Sequence, residues 1–453
     1  QLFNSDLFGA SLAATSTTGD VLLSDVSVLQ GNSAVSITAA NLLRIESGSE
    51  VFTSIFEDHF FSNGLPSAPP SSVTLLASAV QFDDGLAAAT TVSITATGAG
   101  GIGIDNSLLA YDRGTLAASA GSLAVSNSLV AGAAHNYSAQ GALTLDGISG
   151  YLAELGGESV EATVFPTGFS NYDGNPADSL FLSAGSIRVA NSNIAAATIN
   201  AVAPGEILLD NVSIDGAVSY FAADTLRSGE SVALSSDALA VEARVIDFSS
   251  ANIVVGTGLA PQASDFGLLA ALGESFSDLL PPNGTPNASF VASESLALGT
   301  VGGTAQYIVL RAPTASLPQL GPISGASDLF LQFSPTADEG DFTFTLAELA
   351  FANSAATFAF GSSDYQGAIF ITDPAAGTVT ELNAAKAVTA NGNNTNYIFL
   401  STGETDGAAA LQDNTTGQVV VLGPEAPPPP APEPPAPPPP TPEPPAPTPP
   451  APT

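Results

Sequence analysis

Between Gly100 and Gly150 one arrangement of apolar and polar positions recurs three times. Ile102-Gly-Ile104-Asp-Asn106-Ser-Leu108, Leu123-Ala-Val125-Ser-Asn127-Ser-Leu129 and Leu143-Thr-Leu145-Asp-Gly147-Ile148 each place an alternating apolar pair before a polar corner. The corners fall at 106, 127 and 147, in steps of 21 and 20. Alternation of period two predicts strands, and recurrence at about twenty residues predicts a solenoid whose units bury their inner faces on one another.

Similar corners stand at Asn4, Asp25, Ser47, Asp84, Asn191, Asn211 and, more loosely, Phe248, so the steps become 21, 22, 37, 22, 21, 20, 44, 20 and 37. The 44 reads as two turns of 22, and each 37 as one turn carrying an insertion. The expectation is an all-β chain, a right-handed parallel β-helix of about twenty turns, which at ~4.8 Å per turn would be roughly 90 to 100 Å long.

Departures from the pattern divide the chain. Residues 1–258 read as coil with insertions near 51–72 and 151–179, the first rich in aromatics and proline and the second in turn residues. Residues 259–289 interrupt it. There Phe266, Leu268, Leu269, Leu272, Phe276, Leu279 and Leu280 recur at helical spacing, and Pro281-Pro282 ends the run. This predicts one short amphipathic helix that covers a face of the coil or docks a partner. Residues 290–423 read as continuing β-helix or a β-rich cap. Residues 424–453 are almost wholly Pro, Ala, Glu and Thr, a disordered polyproline tail that could reach roughly 90 Å as a spacer or stalk.

Charge narrows the partners. Forty-three acidic residues against seven basic ones leave a net charge of −36, which argues against nucleic acid and against an anionic membrane surface. No run approaches 18 apolar residues, so no membrane-spanning helix is expected. The chain has no Cys, which excludes thiol chemistry and suits passage through an oxidising periplasm, and no Met, even at position 1. A leader, or further turns before residue 1, is therefore expected to have been removed.

Leu346-Ala-Glu348-Leu349, Phe358-Ala-Phe360-Gly361-Ser362 and Gly367-Ala-Ile369-Phe-Ile371 follow one another as a short Leu segment, an apolar-x-apolar-Gly-Ser turn and a Gly-x-Ile-x-Ile strand. This resembles the β-helix repeat of filamentous-haemagglutinin-type exoproteins, the two-partner secretion adhesins. Residues 19–28 and 205–214 are similar to that family's coil turns. The resemblance implies a secreted or outer-membrane-associated surface adhesin of a Gram-negative bacterium, exported by an outer-membrane secretion partner. It also implies a receptor or glycan on a host or neighbouring cell. The family's amino-terminal secretion domain is not visible here, which fits a carboxy-terminal portion.

Chemical motifs are sparse. Gly98-Ala-Gly100-Gly-Ile-Gly103 spells a dinucleotide fingerprint, but a repeat strand follows it instead of a helix, so it reads as a turn. Gly100 to Asp105 also matches the start of a calcium β-roll nonapeptide, yet the copy is single and Ser107 occupies the apolar position. The calcium candidates are acidic loops: Asp173, Asn175 and Asp178 with Asn171, and Asp338, Glu339 and Asp341 around Gly340. No other cofactor is implied. His59 and His135 lack a partner serine in a nucleophile elbow and read as surface or packing residues. Asp83-Asp84 resembles the paired aspartates of polygalacturonase-like enzymes, but neither a Gly-His-Gly nor an Arg-x-Lys accompanies it. The six sequons are what a chain rich in Asn, Ser and Thr produces by chance.

The functional expectation is a non-enzymatic adhesive or structural rod, with Phe52, Phe56, Phe60 and Phe61 as a candidate partner surface. The alternatives are a homopolymeric filament subunit stacked through its coil ends, and a β-helix that binds or cleaves polysaccharide.

Overall fold

The architecture is that of a computed structural model, which describes residues 2–3, 5–25, 27–53, 70–148, 177–258, 286–336, 342–352, 354–355 and 357–361. Beyond these it describes the strands Ile369–Thr372, Gly377–Leu382, Ala385–Ala390, Asn396–Leu400, Ala409–Gln412 and Val419–Leu422.

The chain is a parallel β-helix. A representative turn has three extended segments: a first face Arg113–Ala118, a second face Leu123–Ser126 and a third face Leu129–Ala131. Each pairs in parallel with the segment about one turn away. Arg113 aligns with Thr91 below and Ala134 above, Leu123 with Ile102 and Leu143, and Leu129 with Leu108. Parallel pairing needs a crossover between partners, and here the other two faces supply it.

Alternation decides what fills the centre. On the first face Val35, Ile37, Val73, Leu75, Val92 and Ile94 point inward and are fully buried or nearly so, whereas Ser36, Thr74 and Ser93 between them point out. On the second face Ile45, Phe82, Ile104, Val125, Leu145 and Val189 stack in register, none more than 2% exposed. One apolar cluster therefore runs from Leu23 to Phe360.

The corner between the second and third faces carries the repeat. Asp25, Ser47, Asp84, Asn106, Asn127, Asn191 and Asn211 all take positive φ, between 46° and 59°, and Gly147 takes 67°. Asn, Asp and Gly adopt this left-handed conformation at least cost. Behind the corner stands a buried serine relay. Ser128 Oγ accepts from the Ser107 amide at 3.1 Å and donates to the Ser126 carbonyl at 2.6 Å. Ser107 Oγ does the same one turn below, accepting from Gly85 N at 3.1 Å and donating to the Asp105 carbonyl. Ser49 Oγ accepts from Ser27 N, and Ser192 Oγ from Ile148 N. Each hydroxyl satisfies a backbone donor that the turn withdraws from the ladder.

Two expected corner assignments are corrected. The step of 44 is one turn with an insertion, not two turns: Asp146 pairs directly with Ala190, and Gly147 N donates to the Ala190 carbonyl at 3.0 Å. Phe248 is not a corner. It is 1% exposed inside the strand Val232–Val255 and aligns with Leu298; the true corner is Ser231, φ 51°, twenty residues after Asn211. Asn4 lies outside the described residues.

The coil continues past residue 290 through Tyr307–Arg311, Phe330–Ser334, Thr357–Gly361 and Asn396–Leu400, all parallel. Antiparallel pairs then join Gly377–Leu382 to Ala385–Ala390, and Ala409–Gln412 to Val419–Leu422. Thr314–Gln319 and Leu346–Ala352 are 3₁₀ segments, so Leu346 to Leu349 is a tight turn of chain, not a strand. Among the described residues, first-face strands run from Asp6–Ser16 to Asn396–Leu400. The proposed helix at 266–280 and the proline-rich tail lie outside the described residues.

The stretches 54–69 and 259–285 follow the third face, whereas 149–176 follows Ile148, which stands directly after the Gly147 corner and aligns with Ser192. Each precedes a first-face strand, as the pairings Ala34 with Ser72, Ala134 with Ser179 and Leu239 with Ala288 show.

Replacing Asn127 by Gly keeps the left-handed corner and should change unfolding stability by no more than about 1 kcal/mol. Ser128→Ala strips the buried Ser107 amide of its acceptor and should cost about 1–3 kcal/mol by denaturant unfolding. Equal losses from the two substitutions would contradict the relay.

Candidate functional site

Most polar side chains that the repeat brings together bind one another along the coil. Asp105 Oδ1 accepts from Ser126 Oγ at 2.7 Å and Asn127 Nδ2 at 3.1 Å. Asn191 Nδ2 donates to Asp146 at 2.8 Å, and Asn211 Nδ2 to Asn191 Oδ1 at 2.9 Å. Arg188 spans Asp146 and Asp210 at 3.3 and 3.5 Å. Arg44 pairs with Glu46 at 2.7 Å and reaches Asp83 at 3.9 Å, and Arg244 joins Asp224 to Glu294. The Arg244 guanidinium, by hydrogen bonding, holds the Asp224 carboxyl below the usual carboxylate range. Such exposed pairs contribute little each, but those of Arg188 and Arg244, and the reach of Arg44 to Asp83, tie neighbouring turns.

Of the sequence-derived candidates only some lie among the described residues. Asp178 is exposed at the start of the strand Ala177–Ser228, with its amide donating to the Ala133 carbonyl. Asn171, Asp173, Asn175, Asp338, Glu339 and Asp341 lie outside the described residues, as do Phe56, Phe60, Phe61 and His59. Phe52 is no part of an exposed partner surface. It is 8% exposed and packs on Ala88 and Ala110 beside Val28 and Leu86, because a large ring on the third face's outer side gains most by covering its small neighbours. Asp84 is a left-handed corner and Asp83 faces Arg44. Gly101, in the glycine-rich stretch, has φ 65°, and a Cβ there would lie 2.0 Å from the Ser122 carbonyl oxygen, so the glycine serves a corner. Among the described residues no three His, Asp or Glu side chains group as a metal site.

Two buried polar groups stand apart. Inside the coil, the Tyr111 hydroxyl lies 2.9 Å from His135 Nδ1 and 2.5 Å from the Tyr137 hydroxyl. All three are fully buried, and the His135 ring meets both tyrosines edge-on. Gly114 makes room: a Cβ there would sit 2.1 Å from the Tyr111 ring. Burial drives the His135 pKa down to about 3, so its imidazole is neutral at physiological pH. The second is Glu242, 6% exposed, with the Tyr220 hydroxyl 3.5 Å from its carboxylate. Burial raises the Glu242 pKa to about 7 and raises that of Tyr220 as well. Alternation marks 242 as an outward position, so nothing in the local sequence announces its burial.

No family model matches this chain, and no curated protein or solved structure is significantly similar to it.

Two measurements follow. Tyr111→Phe removes the partner shared by His135 and Tyr137 and should cost about 1–3 kcal/mol in denaturant unfolding. The pH dependence has opposite signs at the two groups. Folded Glu242 keeps its proton to about pH 7 whereas the unfolded chain releases it near 4.5, so its contribution falls as pH rises through that window, by on the order of 3 kcal/mol. Folded His135 stays neutral down to about pH 3, so its contribution is lost as pH falls below 6.5. Between pH 4.5 and 6.5 the two slopes offset. Glu242→Gln should remove one and leave stability rising with pH across that window; an unchanged profile would refute the assignment.

Proposed function

We propose that this chain is a non-enzymatic, secreted or cell-surface β-helical rod that mediates attachment. One observation carries the reading: the coil resumes after each of the stretches 54–69, 149–176 and 259–285 at the same place, the start of a first-face strand. A stiff coil that resumes at one place along its length can carry inserted segments in a row, and multivalent contact along a row raises avidity without tight individual sites. The use of corner polar residues in turn-to-turn bonds fits a scaffold role. The similarity of residues 346–371 to filamentous-haemagglutinin-type adhesins agrees with it. The partner class is a receptor or glycan on a host or neighbouring cell; an outer-membrane secretion partner and calcium in the acidic loops belong to the same reading.

A second reading, end-to-end assembly into filaments, is favoured by the strand Asp6–Ser16. It shows Leu7 and Phe8 at 42% and 65% exposure.

Purified chain should adhere to cells or immobilised glycans and release no reducing ends from neutral or acidic polysaccharides. Steady release with turnover would overturn the non-enzymatic reading, and fibres that lengthen with concentration would favour the filament.

A further inference from the structure

One surface groove departs from the rule that polar side chains tie turn to turn. It has a volume of about 350 Å³, is open to solvent, and crosses successive turns on the outside of the coil. Arg227 aligns with Asp247 and Asp247 with Ala297, while Leu298 bridges to Leu320, which sets Gln319 beside Ala297. Val245 aligns with Ser295 in the adjoining column. The ladder shifts register between Ala243 and Val245 and again between Phe248 and Asn252, and such bulges re-aim the side chains they flank. The small Ala297 between Asp247 and Gln319 opens the floor.

The polar groups around that floor are left available. Arg227 faces Asp247 in register, yet its ion pair is through Nε to Glu206 at 3.7 Å, so its terminal nitrogens join no ion pair among the described residues. Arg44, Arg188 and Arg244 by contrast each engage two carboxylates. Asp247 is oriented by Ser249, whose amide and hydroxyl both donate to Oδ1, at 3.2 and 2.6 Å, which leaves Oδ2 as an acceptor. Gln319 supplies a donor and an acceptor and Ser295 a hydroxyl.

We propose that this groove binds a neutral hexose unit through a vicinal diol. The fork of Arg227 donates to adjacent hydroxyls, Asp247 Oδ2 accepts from one of them, and Gln319 and Ser295 complete the ring of contacts. Val245 and Ala297 receive the sugar's C–H face. Glu206 and Asp247 beside Arg227 disfavour an anion, and Arg227 disfavours a cation. The volume stands at the small end of ligand sites, which suits one sugar residue better than a large ligand. The proposal rests on the adhesive reading and gives it a ligand class.

The test is saturation-transfer NMR on the full chain with methyl α-mannopyranoside and methyl β-galactopyranoside, beside the variants Arg227→Ala and Ala297→Phe. Arg113→Ala, at an exposed first-face position, serves as control. Circular dichroism confirms the β signature of each variant. Wild type and control should show transfer from at least one glycoside, Arg227→Ala should bind about tenfold more weakly or worse, and Ala297→Phe should show none. No transfer to wild type, or equal transfer in both variants, overturns the site. Attachment to cells by a wild-type chain that shows no glycoside transfer removes the groove and leaves the adhesive reading. Glycoside binding without attachment does the reverse.

Discussion

At Ser49, Ser107, Ser128 and Ser192 the coil satisfies, from a neighbouring turn, backbone donors where the second face bends into the third. A parallel ladder extends easily along straight segments, but a sharp corner withdraws amides from it, and each buried amide without a partner costs about 1–3 kcal/mol. The chain answers with a pair of residues. One takes left-handed φ and makes the bend, and the next supplies a hydroxyl that accepts the amide of the turn below, as Asn106-Ser107 and Asn127-Ser128 do. Because each hydroxyl reaches the adjacent turn, a slip of one residue would break the corner and turn the Ile104, Val125 and Leu145 column out of the core together. Length variation is found after that corner and ahead of the first face, where the coil resumes at Ser72, Ser179 and Ala288.

This explains which parts of the fold were legible. Left-handed positions accept few residue types, so the corners at 25, 47, 84, 106, 127, 147, 191 and 211 stand out against the alternating background. Ser231 was missed because the residues before it, Arg227-Ser228-Gly229-Glu230, lack the alternating apolar pair. Phe248 resembles a corner because Ser249-Ser250 follows it, whereas those residues fall where the ladder shifts register. The step of 44 misled by arithmetic: it equals two turns of 22 as well as one turn with an insertion, and pairing of Leu145 with Val189 decides it. Ser107, which weakened the calcium-roll reading, proves to be the relay residue.

The chemistry was less legible, and for a physical reason. Burial of Glu242 depends on what covers an outward position, and availability of Arg227 depends on bulges at Ala243 and Phe248; neither leaves a local mark. His135 is an inward position in the repeat, and its two tyrosine neighbours come from Tyr111, across a corner, and Tyr137, two residues on. A hydrogen-bonded cluster of that kind is costly when half made, so it favours one packing of these turns. Charge on the exterior works in the other direction: a net −36 repels itself, and the arginines that bridge carboxylates relieve it locally.

The most direct test of the corner relay is native-state amide exchange at Gly85, Ser107 and Ile148, three donors whose acceptors are serine hydroxyls of a neighbouring turn. The account predicts protection comparable to that of the ladder-bonded amides of Leu123 and Val125 beside them in the coil. Exchange at the rate of an exposed loop would contradict it, since the corners would then be open and something else would hold the turns in register.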